Sequence, residues 1–193
     1  MRSICVFCGS RAGARLVYQT LAEQLGRHMA RQGIRLIYGG GHVGLMGVIA
    51  DSVLAAGGEV VGVIPQMLMD REVGHRHLTE LHVVGSMHAR KAMMAELAEG
   101  FIAMPGGIGT FEEMFEIWTW AQLGLHHKPL GLLNAGNYYD DLLRFLDHAE
   151  GEGFLGERHR QILVTDEHPE KLLQKMQDAV IPPEPPVLTL EES

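Results

Sequence analysis

Apolar residues along this chain fall into short runs, separated by stretches in which they recur every three or four positions. The runs Ser3 to Cys8, Arg35 to Tyr38, Glu59 to Ile64, Leu81 to Val84, Phe101 to Met104, Pro129 to Leu133 and Ile162 to Val164 suit buried strands. Between most of them, Val17-Leu21-Leu25-Met29, Leu45-Ile49-Val53, Met87-Met94-Leu97, Phe115-Trp118-Leu123 and Leu142-Phe145-Leu146 each keep one apolar side at helical spacing. Such alternation predicts an α/β fold, a doubly wound parallel sheet with helices on both faces. Residues 1–180 read as one domain with no internal repeat or linker, and 181–193, rich in proline, as an extended tail.

Three predicted strand ends carry glycine, at Cys8-Gly9-Ser10, Tyr38-Gly39-Gly40-Gly41 and Pro105-Gly106-Gly107. In an open parallel sheet these ends share one edge, where ligands bind, so a nucleotide-like site is expected there. Gly39-Gly40-Gly41-His42-Val43-Gly44 matches G-x-G-x-x-G, yet the acid that would hold a dinucleotide ribose is missing: the next strand ends in Pro65, with Glu59 at its wrong end. A mononucleotide suits the chain better than NAD.

The run from Met104 to Glu113, MPGGIGTFEE, follows a strand and opens a helix. Its glycines let the backbone approach an anion, and the N–H groups of the following helix point into the same space, as in a phosphate cradle. Thr110 and Glu113 have two readings. One is a capping box with Thr110 as N-cap; the other is a carboxylate held beside a bound phosphate, a costly placement that implies chemistry. A second segment, Ser86 to Met94, has Ser86 as N-cap and sets Arg90 in an otherwise apolar stripe with Met87, Met94 and Leu97. There Arg90 either snorkels outward or pairs with a phosphate or carboxylate, and Lys91 is expected at a groove rim or in solvent.

Composition narrows the classes. The chain has 193 residues, is 46% hydrophobic and carries a formal charge of -8, which opposes binding to nucleic-acid polymers or anionic membranes but not to one small anion. With no long apolar run and a first strand entered directly at the N-terminus, a cytoplasmic, soluble protein is expected. Cys5 and Cys8 form C-x-x-C, but on a strand they point to opposite faces, unlike a redox pair at a helix N-terminus. Eleven histidines include His75 with His77, which could share a strand face, but no metal-binding spacing occurs, and no metal is expected. No G-x-S-x-G elbow supports a serine hydrolase.

Met87-His88-x-Arg90-Lys91 followed by Pro105-Gly106-Gly107-x-Gly109-Thr110-x-x-Glu113 resembles the LOG (Lonely Guy) family, cytokinin riboside 5'-monophosphate phosphoribohydrolases. The similarity runs from Cys8-Gly9-Ser10 through Arg71-Glu72-Val73 and Trp118-Thr119-Trp120 to Gly153-Phe154. It implies a homodimeric Rossmann-like fold that cuts the N-glycosidic bond of a nucleoside 5'-monophosphate, giving free base and ribose 5-phosphate without a cofactor. Arg90 and Glu113 are then the catalytic pair. Gly107, Ile108, Gly109, Thr110, Phe111 and Glu112 surround the substrate, with Ser10, Gly41, Glu72, Lys91 and Thr119 as further contacts. Relatives often read Gly-Ser-Ser-x-Gly after the first strand, where this chain has Gly9-Ser10-Arg11-Ala12-Gly13.

On this reading Glu113 holds the ribose hydroxyls or orients water and offsets charge developing at C1', and Arg90 keeps it ionised. Two rivals remain. A PLP-dependent lysine decarboxylase would need a Schiff-base lysine from among Lys91, Lys128, Lys171 and Lys175, and a nucleotide or cofactor carrier would bind without turnover.

Overall fold

A computed structural model of the protein describes residues 1–70 and 74–179. Seven parallel strands form one sheet: β1 (Ser3–Phe7), β2 (Arg35–Tyr38), β3 (Val60–Pro65), β4 (Glu80–Val84), β5 (Phe101–Ala103), β6 (Leu130–Leu133) and β7 (Leu163–Asp166). Their spatial order is β4-β3-β2-β1-β5-β6-β7. The chain winds outward from β1 to one edge, then returns to β5 on its other side, so the order reverses between β1 and β5. That reversal opens a crevice above the carboxyl ends of these two strands.

Strand β1 shows why the sheet is covered twice. Ile4, Val6 and Cys8 enter one core with Leu25 and Met29 of α1 (Leu16–Arg31) and Ile49 and Val53 of α2 (Gly44–Ala55). Cys5 and Phe7 enter the other with Met94 of α4 (Met87–Leu97) and Met114 and Trp118 of α5 (Ile108–Gln122). A strand buried on both faces has no polar side, which is why its run is continuously apolar. The two cysteines are free and buried on opposite faces, and burial raises both thiols far above their usual range, so neither supplies a thiolate.

The remaining helices are α3 (Gln66–Met69), α6 (Asp140–Gly151), α7 (Glu157–Arg160) and α8 (Pro169–Asp178). Helix α8 begins with proline at its first turn and buries Leu172, Leu173 and Met176 on the first core. Trp118 is core, its indole N–H donating to the His159 carbonyl at 2.9 Å, while Trp120 is half-buried against the second core. Among the described residues no helix is long and apolar enough to cross a membrane. Glu72 and the proline-rich tail lie outside the described residues.

Candidate active site

A cleft of about 610 Å³ opens over the carboxyl ends of β1, β2 and β5. Each of the three glycine-bearing loops contributes a wall: Ser10 and Arg11 after β1, Gly39 and Gly41 after β2, and Gly107 to Thr110 after β5. Arg90 and Glu113 line it from α4 and α5. Of the residues anticipated from sequence, Ser10, Gly41, Arg90, Gly107, Ile108, Gly109, Thr110 and Glu113 therefore converge on one space.

The cradle differs from a capping box. The N-cap of α5 is Gly107, three residues before Thr110, and no side chain caps the helix. Thr110 is buried within the first turn, so close to Gly106 that a Cβ there would lie 2.1 Å from its Oγ1. Phe111 donates back to the Gly107 carbonyl at 3.1 Å. The N–H groups before it have no carbonyl to bond within the helix, and Ile108, Gly109 and Thr110 face the cleft, so an anion seated there would meet uncommitted donors at the positive end of the helix dipole.

Arg90 settles the glycines of the second loop. Its Nη2 stands 3.2 Å from Glu113 Oε1, with both side chains only 10% exposed. The guanidinium lies against Gly39, where a Cβ would come within 2.0 Å of Nη2. The first glycine of that apparent dinucleotide motif thus makes room for an arginine rather than for a pyrophosphate. Arg90 neither snorkels nor is fully satisfied: Nη1 has only the Met87 sulfur at 3.8 Å, and the buried Nε has no hydrogen-bond partner among the described residues. An unused, buried donor beside an open cleft is a place for a ligand oxygen.

The Glu113 carboxyl titrates above the ordinary carboxylate range, because burial disfavours its charge by more than Arg90 opposite favours it. Arg90 lowers this pKa, as expected of a cation beside the carboxyl, but burial raises it by more. Neighbouring Glu112 and Glu116 push it further up, and Lys91 partly offsets them.

Lys91 is not at a rim. Its side chain is almost covered and pairs with Glu112 and, at 2.9 Å, with Glu116. Although burial works against its charge, those two carboxylates hold its pKa above the usual lysine range. Glu112, Phe115 and Thr119 are exposed along one side of α5, outside the cleft lining, and Thr119 Oγ1 donates to the Phe115 carbonyl. Phe111 packs edge-on to Tyr139 with ring centroids 6.3 Å apart.

One cluster escaped the sequence reading. His42, Asp51 and His75 bring three potential metal-ligand atoms within 4.8 Å of one another, and His75 is not on a strand with His77 but bonded through its backbone N–H to Gly40. The fit to a metal fails at His75. Its Nδ1 accepts the His77 N–H at 3.1 Å, so the proton sits on Nε2 and is donated to Asp51 at 2.9 Å, leaving no lone pair for an ion. Asp51, although partial burial raises it, is held below its usual pKa by hydrogen bonds to His75 and His42. The cluster fastens the 74–77 segment to the glycine loop after β2. Nothing in the sequence pattern marked it, because its members come from a loop, a helix and a second loop.

The geometry for PLP does not fit either. Lys91 is tied to two carboxylates, Lys128 donates to the Ala95 carbonyl, Lys175 pairs with Asp166 and Lys171 lies on α8; no lysine of the chain lines the cleft.

Comparison with known proteins decides the family. Residues 46–176 match a family model described as possible lysine decarboxylase. A probable cytokinin riboside 5'-monophosphate phosphoribohydrolase of Oryza sativa subsp. japonica is 50% identical over 94% of this chain and 74% of its own length. A cytokinin riboside 5'-monophosphate phosphoribohydrolase of Arabidopsis thaliana is 48% identical over 93% and 84%. This chain belongs to the LOG family. The LOG fold extends to more distant proteins: the molybdenum cofactor binding protein of Rippkaea orientalis superposes with a TM-score of 0.69 over 91% of this chain and 95% of its own, at 24% identity, a likeness of fold alone.

Proposed function

We propose that this LOG protein hydrolyses the N-glycosidic bond of adenosine 5'-monophosphates, plain or N6-substituted, to free base and ribose 5-phosphate. The observation that carries the reading is the buried Arg90–Glu113 pair set in the same cleft as the uncapped N-terminus of α5. Its relatives at about half identity bear the name of that activity.

The chemistry follows from the placement. The 5'-phosphate docks on the Gly107 to Thr110 backbone, which fixes the ribose along the cleft toward Glu113. As the bond to the base lengthens, positive charge grows at C1' and the ring oxygen; the ionised Glu113 carboxylate offsets it and accepts a proton from the attacking water. The water oxygen bonds to C1', and the base leaves with the bonding electrons and takes a proton from solvent, to which Glu113 returns the one it removed from the water. Arg90 orients the carboxylate through Nη2 and retains a free Nε for a substrate oxygen. The apolar wall of Val43, Met46, Ile64 and Leu68 suits a purine with a hydrocarbon N6 substituent.

Glu72, Lys91, Phe111, Glu112 and Thr119 complete the reading as substrate contacts. The exposed side of α5 that holds Glu112 and Thr119 also exposes Phe115, an apolar group that a second copy of the chain would cover; we therefore read the protein as a homodimer, acting in the cytoplasm. The decisive assay is base released from AMP and from N6-isopentenyladenosine monophosphate by wild type and Glu113→Gln. Release by wild type, lost in a variant that still binds AMP, is expected. Binding without release by wild type would transfer the protein to the carrier class.

A further inference from the structure

The loop after β1 carries an arginine that no internal contact explains. Arg11 is exposed, lines the cleft, and makes no hydrogen bond or ion pair among the described residues. Its backbone, by contrast, is held on two sides. A Cβ on Gly44, whose φ is +58°, would come within 2.4 Å of Arg11 N, and one on Gly9 within 2.9 Å of Arg11 O. Gly9 is itself bonded both ways, its N–H to the Pro105 carbonyl at 3.0 Å and its carbonyl to the Leu45 N–H at 3.0 Å. The root of the side chain is thus fixed against the cradle while the guanidinium remains uncommitted.

Charge balance shows what it is for. A phosphomonoester brings about 1.5 to 2 negative charges at neutral pH, and a helix N-terminus answers roughly half of one. The other charged groups lining the cleft, Arg90 and Glu113, stand 3.2 Å apart, so their charges offset each other although Arg90 Nε keeps a free N–H. Arg11 is the one full positive charge left among the described residues of the lining. A guanidinium presents paired N–H groups that match phosphate oxygens.

We infer that Arg11 is a further substrate-binding residue of this cleft, its guanidinium clamping the 5'-phosphate together with the α5 N-terminus. The inference rests on the nucleotide reading above. Arg11 also borders a second cavity of about 440 Å³ lined by Tyr18, Tyr138 and Gly106, so contact with the base is the competing assignment.

Wild type, Arg11→Ala and Arg11→Lys are compared by KM and kcat for AMP and by calorimetric titration with ribose 5-phosphate and with adenine. For Arg11→Ala the clamp predicts an AMP KM raised about tenfold with kcat within about twofold, and ribose 5-phosphate bound about tenfold more weakly. Adenine affinity and melting temperature should not move, lysine should restore part of the loss, and added salt should narrow the difference. Equal ribose 5-phosphate affinity in wild type and Arg11→Ala overturns the clamp, as does a loss that falls equally on adenine. If wild type releases no base from AMP, the hydrolase reading fails, while the ribose 5-phosphate titration still decides Arg11.

Discussion

Arg90 and Glu113 face each other at 3.2 Å from two different helices, both nearly buried, with Gly39 directly behind the guanidinium. A pair in such a position contributes little to stability, because desolvating both charges cancels most of their attraction. A catalytic role, as proposed above, would account for so costly a pair inside a cleft.

Breaking the pair from one side should separate fold from function. Arg90→Ala leaves a buried carboxylate uncompensated, a loss of about 3–5 kcal/mol. Adding Glu113→Gln removes the stranded charge, so the double variant should recover much of the lost melting temperature and none of the lost turnover. Calorimetric unfolding beside an AMP assay tests both halves; recovery of activity in the double variant would remove the pair from catalysis.

Gly39→Ala probes the same relationship without touching a charge. The new methyl would stand 2.0 Å from Arg90 Nη2 and force the guanidinium off Glu113. A fall in kcat of about a hundredfold is expected, since misplacing a catalytic group by an ångström has that scale of effect. Wild-type kcat in Gly39→Ala would show that the position of Arg90 does not matter.

The raised Glu113 pKa sets two pH profiles. In the proposed mechanism turnover needs the ionised form, so kcat/KM for AMP should decline on acidification with a midpoint above the ordinary value of 4.5. Stability runs the other way. A carboxyl whose folded pKa lies above its unfolded value contributes stability below about 4.5 that is lost as pH rises through the folded value. Glu113→Gln should therefore gain on wild type in melting temperature as pH climbs from 4.5 toward neutrality. A difference that stays constant over that window would mean that the carboxyl is not strained by burial.

The exposed side of α5 predicts the assembly state. Phe115 is 37% exposed beside Glu112 and Thr119, and Phe115→Glu would place a charge in any contact made there. Sedimentation should show a dimer for wild type and a monomer for the variant, with activity falling alongside. A monomeric, fully active wild type would leave each cleft complete in one chain.

Periodicity determined the sheet and its main helices, because a strand buried on both faces, such as Ile4 to Cys8, must be apolar throughout, and a helix laid on it must be apolar on one side. The glycine loops, the cradle and the pairing of Arg90 with an acid were legible for a similar reason: backbone approach and buried charge restrict residue type locally. The remaining decisions were tertiary. Thr110 and Glu113 have the spacing of a capping box, yet Gly107 caps the helix three residues earlier, so Thr110 lies inside the first turn and Glu113 faces Arg90 instead. Gly39 opens a G-x-G-x-x-G that the missing ribose acid already set apart from a dinucleotide site, but only the fold shows that its bare backbone makes room for Arg90. Lys91 is adjacent to Arg90 in sequence but points to Glu112 and Glu116, because one helical step turns a side chain by about 100°. His75 drew notice only beside His77, and its cluster with His42 and Asp51 had no pattern, being brought together only by the folding of a loop across a helix; the upward shift of the Glu113 pKa comes chiefly from its burial, which no spacing of residues encodes.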